Sequence, residues 1–278
     1  LSAGMTASFD KPSLYGFEGV ASTLTVNVPL GTPQGSYPIT VTGDEHGNDH
    51  SAVATVTVNN DTPTALPPTT APRTKATLGS TTLPALVSWA PATDPSSGIA
   101  GYELQRSVDS GAWTAASSTT ASVRTWVSTQ ALGGLYQYRV RARDQAGNWS
   151  AWAMGPSVTS LLVQDRSSVV AYTGTWTKSV YANASGGTTT YASFSGARAR
   201  TTFSGRAVAI VAPVGPTRGS AAVYVDGVYR QTVSFRASTG NSRVVMYATT
   251  FATLGTHTIE LRPAGNGRVD LDAFVILR

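Results

Sequence analysis

Tyr136-Gln137-Tyr138-Arg139-Val140-Arg141-Ala142-Arg143-Asp144-Gln145-Ala146-Gly147-Asn148-Trp149-Ser150 decides how this 278-residue chain folds. Tyr136, Tyr138, Val140 and Ala142 alternate with Gln137, Arg139, Arg141 and Arg143, the two-residue period of a strand with one face turned inward. The strand runs into the turn residues Asp144 to Asn148 and then into an aromatic edge at Trp149 and Trp152. Nothing in these residues is arranged for chemistry; they describe a shape.

The rest of the chain agrees. Charged residues make up only 13%, and Thr, Ser, Ala, Val and Gly dominate, which favours strands and turns over helices. No stretch of ten or more residues sustains an apolar i, i+3, i+4, i+7 pattern, so almost no helix is expected. No apolar run is long enough to enter a membrane. Cysteine is absent, so core size must hold each domain, and bacterial export suits a cysteine-free extracellular protein. No signal peptide is present and Leu1 is not an initiator Met, which suggests a piece of something longer. Charge is uneven: residues 1–62 carry one base and six acids, residues 63–164 seven and four, and residues 165–278 twelve and five. The arginines of the last third are spaced singly along strands and form no runs, so no nucleic-acid partner is expected.

Three segments follow. In the first, residues 1–62, Ser22–Val28 alternates as a strand, and Ser36–Thr42 and Ser51–Val58 read as hairpin arms around Gly43–His50. Leu1–Phe9 and Pro33–Gly43 together resemble the second half of bacterial immunoglobulin-like repeats. The resemblance implies that about two strands belonging before Leu1 are missing, through a cut, an undescribed upstream segment, or a gap filled by a neighbouring chain. Residues 59–75 hold four prolines within ten residues and read as a stiff polyproline linker.

The second segment, residues 63–164, resembles a fibronectin type III domain. Leu86-Val87-Ser88-Trp89 matches the strand with the core Trp, Gly101-Tyr102-Glu103-Leu104 the next strand, and Leu132–Tyr136 a tyrosine corner whose hydroxyl bonds backbone near Leu132. Arg139, Arg141 and Arg143 with Trp149 and Trp152 resemble the interleaved Trp/Arg ladder of cytokine-receptor fibronectin domains, with a structural role.

The third segment, residues 165–278, carries Phe203-Ser204-Gly205, Gly215–Gly219, Val223–Gly227, Leu254–Ile259 and Val269–Val275. In this order they resemble the galactose-binding-like jelly rolls, similar to carbohydrate-binding modules, attached to secreted bacterial enzymes and adhesins. The expected architecture is therefore all-β, with three β-sandwich domains in tandem, the first incomplete.

Catalysis is not expected. The chain has three His, no Gly-x-Ser-x-Gly elbow and no Cys. His46 and His50 share one loop with Asp44, Glu45 and Asp49, a set read as a solvated acidic hairpin and not as zinc ligands. Sugar recognition pairs exposed aromatic faces with polar groups, and Trp176, Tyr181, Tyr191 and Tyr229 with Arg218 are the candidates. Trp176 is the ring expected to be most exposed, although the Trp at this place in such modules often packs under the sheet. Asp226, Asp270 and Asp272 offer oxygen ligands for a structural calcium ion, against an Asp-Gly turn for Asp226 and hydrogen bonds to backbone or Arg for the other two. The expected function is a non-catalytic accessory segment of a secreted or surface bacterial protein whose jelly roll binds polysaccharide or cell-surface glycan, with the fibronectin domain as spacer. The alternative is a filament or adhesive-fibre subunit assembled by strand exchange with itself or with an upstream segment.

Overall fold

A computed structural model describes residues 4–14, 20–29, 31–45 and 47–278. Leu1–Ala3, quoted for the immunoglobulin-like resemblance, and His46 lie outside the described residues. Every regular element among the described residues is a strand, so the chain is all-β with its strands in sandwich-like layers.

The first segment has β1 (Thr6–Phe9) paired with β2 (Leu24–Asn27), and β3 (Gly35–Glu45) paired with β4 (Asn48–Val58). The hairpin is tighter than its sequence suggests. The ladder continues through Gly43↔His50, Asp44↔Asp49 and Glu45↔Asn48, and Gly47 turns the chain at φ 89° with its N–H on Asp44 Oδ1 at 2.7 Å. The expected open loop is thus mostly strand. Ile39 is buried, yet Val53, paired with Thr40, is 67% exposed and β1 is exposed throughout. This segment has strands but little core.

The second segment contains β5 (Thr69–Pro72), β6 (Thr82–Ser88), β7 (Ile99–Val108), β8 (Thr114–Thr120), β9 (Thr125–Ala131), β10 (Leu135–Asp144), β11 (Ala153–Met154) and β12 (Val158–Gln164). One layer is β5-β6-β9; the other contains β12-β10-β7-β8. Alternation in β6 buries Leu83, Ala85 and Val87, and alternation in β10 buries Tyr136, Tyr138, Val140 and Ala142. Trp89 packs edge-on to Tyr102 at 5.8 Å. The Tyr136 hydroxyl accepts the Ala131 N–H at 2.8 Å, one residue from its expected partner.

The proline-rich stretch is not a spacer. Pro63, Pro68 and Pro72 are buried, Thr69–Pro72 is the edge strand β5, and Lys75, Ala76 and Leu78 exchange backbone hydrogen bonds with Val245 and Arg243. Proline is tolerated on a sheet edge because its missing N–H costs no ladder bond there.

The third segment adds β13 (Val170–Thr173), β14 (Thr177–Val180), β15 (Thr188–Ala192), β16 (Arg198–Val214), β17 (Ser220–Val225), β18 (Val228–Ser234), β19 (Asn241–Pro263), β20 (Val269–Leu271) and β21 (Ala273–Leu277). A small sheet β14-β15-β20 faces the long sheet β18-β17-β19-β16-β21 across a core containing Phe203, Ile210, Val223, Ile259, Leu261, Leu271 and Phe274.

The second and third segments do not meet at a free joint. β12 pairs with β10 through Val158 and Thr159, and then with β21 through Ser160–Gln164, so one continuous sheet crosses the expected boundary at 164/165. Ala207, Ala209, Val211, Ala273, Val275 and Leu277 belong to the same buried cluster as Trp89, Tyr102 and Tyr138. A bulge makes this sharing possible. The register of β16 shifts between Gly205 and Ala207, so Phe203 and Val208 both face the inner core, while Ala207 and Ala209 face the second segment. A Cβ on Gly205 would stand 2.8 Å from the Leu277 carbonyl oxygen, which is why glycine occupies the bulge.

Candidate functional site

The bulge divides the outer face of the long sheet into two parts. Beyond Gly205 it is covered by the second segment; before Gly205 it is open. On the open part Arg198, Arg200 and Thr202 of β16 are exposed while Ala199, Thr201 and Phe203 point inward. Glu260 and Arg262 of β19 and Ala222 and Tyr224 of β17 share the outward face, because Ile259, Leu261, Val223 and Val225 are the buried alternates.

Two rows of side chains cross the strands. In one, Tyr229 of β18 pairs with Tyr224, Tyr224 with Glu260, and Glu260 with Arg200. In the other, Thr232 pairs with Ala222 and Ala222 with Arg262. Tyr224 and Tyr229 meet edge to face at 5.7 Å. The Arg262 guanidinium sits 3.7 Å from the Tyr224 ring centre and also hydrogen-bonds Glu260. Arg198 approaches the same carboxylate at 3.8 Å. Tyr229 is 53% exposed and its hydroxyl meets Thr232 Oγ1 at 3.1 Å. The surface is flat, polar and aromatic, and suits a chain laid across strands better than a small molecule held in a cleft.

Of the expected sugar-binding residues, only Tyr229 lies on this open face. Trp176 is half-buried, 5.1 Å from Tyr172, with its indole N–H donated to the Thr173 carbonyl at 3.1 Å, so its ring helps close the core. Tyr181 is half-buried and its hydroxyl accepts from Ser242 Oγ at 3.2 Å. Tyr191 has one face covered by the Arg268 guanidinium at 3.6 Å. Arg218 is held against Asp270 at 3.1 Å.

The three expected calcium ligands are not gathered. Asp226 occupies the β17–β18 turn at φ 52°, accepting from Thr258 N at 2.7 Å and bonded to His257 Nδ1 at 2.8 Å. Asp270 is fully buried and takes Arg268, Arg218 and the Thr189 hydroxyl. Arg218 precedes β17 and Asp226 follows it, so the two carboxylates lie toward opposite ends of that strand. Asp272, also fully buried, accepts the Ser185 N–H and hydroxyl at 3.0 and 2.6 Å. Burial pushes the Asp272 carboxyl up to about 6, with Ser185 pulling it down and the Asp165 charge pushing it further up. Among the described residues no group of three His, Asp or Glu side chains is placed to hold a metal ion. These acids have protein donors in the places where an ion would need free oxygens.

His257 is stacked on Phe251 at 3.5 Å and oriented by Asp226, yet among the described residues no hydroxyl is bonded to its other nitrogen. The pair lacks the nucleophile that a hydrolytic triad requires.

Sequence reasoning missed Arg198, Arg200, Glu260 and Arg262. Their signal was present in the outward positions of β16 and β19, but it becomes readable only once Tyr224 is known to face outward. It also missed Trp113, which completes the ladder. Arg139 lies 4.4 Å from both Trp113 and Trp152, and Arg141 lies 4.3 Å from Trp149 and 4.6 Å from Trp152. Gln105 and Glu103 hold the two guanidinium groups from the neighbouring strand.

No known protein-family profile matches the chain. Exoglucanase B of Cellulomonas fimi is 38% identical over 149 residues, 51% of this chain and 13% of that protein. Endoglucanase B of the same organism is 42% identical over 82 residues, 30% of this chain and 8% of that protein. The chain thus spans a small fraction of the curated relatives it matches. Among solved structures, the CBM36-1 domain of a multidomain xylanase from the hindgut metagenome of Trinervitermes trinervoides aligns over 42% of this chain and 96% of its own, at TM-score 0.32 and 17% identity. A family two carbohydrate esterase from Cellvibrio japonicus aligns over 43% and 34%, at TM-score 0.33 and 14% identity.

Proposed function

We propose that this chain is a non-catalytic, polysaccharide-binding portion of an extracellular glycan-degrading protein. The observation that carries this reading is the match of half the chain to a small portion, 13%, of a named glucanase. A similar stretch that makes up so little of a long exoglucanase suits an attached module. The open face around Tyr224 and Tyr229 is the surface that would meet the glycan, since an aromatic ring flanked by hydrogen-bonding groups is how proteins hold sugar rings. The second segment braces that face instead of spacing it away.

The test is depletion of the whole chain from solution by a panel of insoluble polysaccharides, with reducing-sugar release measured in the same tubes. Depletion without release is expected. Release of sugar by the purified chain, or no depletion by any member of the panel, would remove the proposal.

A second reading has its own observation. Ala7, Phe9, Leu24, Ile39 and Val41 line an open groove of about 590 Å³ in the first segment. An added strand would close such a groove, as strand exchange between subunits does. Association that grows with concentration in sedimentation experiments, and is lost in Ile39→Asp, would favour a filament subunit.

A further inference from the structure

Five carboxylates accompany twelve Lys and Arg in residues 165–278. Three of the five, Asp165, Asp270 and Asp272, have no solvent exposure. Asp270 is taken up by Arg218 and Arg268, and Asp165 by Arg166, so Asp226 and Glu260 remain to oppose the other nine Lys and Arg.

That excess has a place to act. On the open face Arg198, Arg200 and Arg262 stand against Glu260 alone, and the Glu260 side chain is only 13% exposed. Arg262 is fixed from two sides, by the Tyr224 ring and by Glu260, so little side-chain freedom remains to be lost on binding. Arg200 pairs in register with Glu260, yet among the described residues it makes no ion pair. A planar guanidinium fork matches a carboxylate in two parallel hydrogen bonds. From Tyr229 on β18 to Arg200 on β16 the row crosses three inter-strand spacings, about 14 Å. A neutral sugar chain gives such a row hydrogen bonds but leaves its charges uncompensated.

We propose that this face binds an acidic polysaccharide, a chain bearing uronate carboxylates, with Arg200 and Arg262 pairing the carboxylates and Tyr229 supporting a sugar ring. This rests on the polysaccharide-binding reading above and names the class of glycan. Nucleic acid fits the face less well. Base stacking needs free ring faces, and here Tyr224 is capped by Arg262, leaving Tyr229 as the one exposed ring of the pair.

The experiment is affinity electrophoresis of the whole chain through gels containing polygalacturonate, its methyl-esterified form or a neutral soluble glucan, with single-stranded DNA titrated separately. The expected result is strong retardation by polygalacturonate, weakened at least about tenfold by esterification, and a loss of about 5- to 10-fold in affinity for each of Arg200→Ala, Arg262→Ala and Tyr229→Ala. Lys178→Ala, on the opposite sheet, should bind as the parent does. Melting curves establish that each variant is folded, and Arg200→Ala, whose side chain is exposed and makes no ion pair among the described residues, serves if Arg262→Ala is not. Equal retardation by the esterified chain, equal losses in Lys178→Ala, or DNA binding as tight as that of polygalacturonate would each overturn the proposal. Retardation by the neutral glucan alone would overturn the acidic class while sparing the carbohydrate reading; retardation by no glycan would end both.

Discussion

Arg218 Nη1 stands 3.1 Å from Oδ2 of Asp270, while Arg268 holds Oδ1 of the same carboxylate at 2.6 Å. Asp270 is fully buried, and Arg218 is 13% exposed. The carboxylate thus serves to neutralise two guanidinium groups that tie the loop before β17 to strand β20. Asp270→Asn leaves both arginines without their partner and should lower stability by about 3–5 kcal/mol, read as a fall in denaturation midpoint. An unchanged midpoint would mean the cluster contributes nothing to folding.

Asp272 predicts a specific dependence on pH. Its native carboxyl titrates near 6, above the ordinary 3.8, chiefly because it is buried, with Ser185 and Arg243 opposing and Asp165 reinforcing the shift. The native state therefore holds this proton to higher pH than the unfolded chain does. The stabilisation attached to that proton is complete below pH 3.8 and is lost as pH rises through about 6. The shift corresponds to about 3 kcal/mol across the window. Urea unfolding of the parent and of Asp272→Asn, followed from acid to neutral pH, should show the parent losing ground to the variant as pH rises. A difference independent of pH would contradict this account.

The ladder over β10 is predicted to couple its members. Arg139 is sandwiched between Trp113 and Trp152 and tied to Gln105, so a double-mutant cycle on Arg139→Ala and Trp152→Ala should give about 1 kcal/mol of interaction. Strict additivity of the two losses would show that the stacking is incidental.

The shared core predicts one unfolding event for the second and third segments. Calorimetry should find a single transition covering both, with calorimetric and van't Hoff enthalpies in agreement. Val275→Asp, which places a charge at the seam, should lower the midpoint of that whole transition. Two resolved transitions, only one of them moved by the substitution, would refute the coupling.

Much of this was legible in the sequence. Two-residue alternation in β10 identified a strand and its inner face, because a one-sided sheet leaves its core pattern in every second residue. What alternation could not show was the bulge at Gly205, which moves one strand's inner positions by a residue and creates a second buried face. Proline count misled at residues 63–72, since the same residues that stiffen a linker also suit an edge strand. The aromatic candidates were chosen by type, and type does not distinguish Trp176, folded back onto Tyr172, from Tyr229, left in solvent. The arginine face escaped notice because its members are far apart in sequence, and only the pairing of β16, β19 and β17 brings them together.

The strand β12 carries one sheet through both segments, and this bears on what can be exchanged between proteins. Exchanging residues 165–278 for an unrelated β-sandwich would strip Trp89 and Tyr138 of part of the wall they rest against, and would leave the incoming sheet without the neighbour that covers it. The two segments therefore have to be moved as a pair in any chimera, even though the sequence at residue 164 looks like a border.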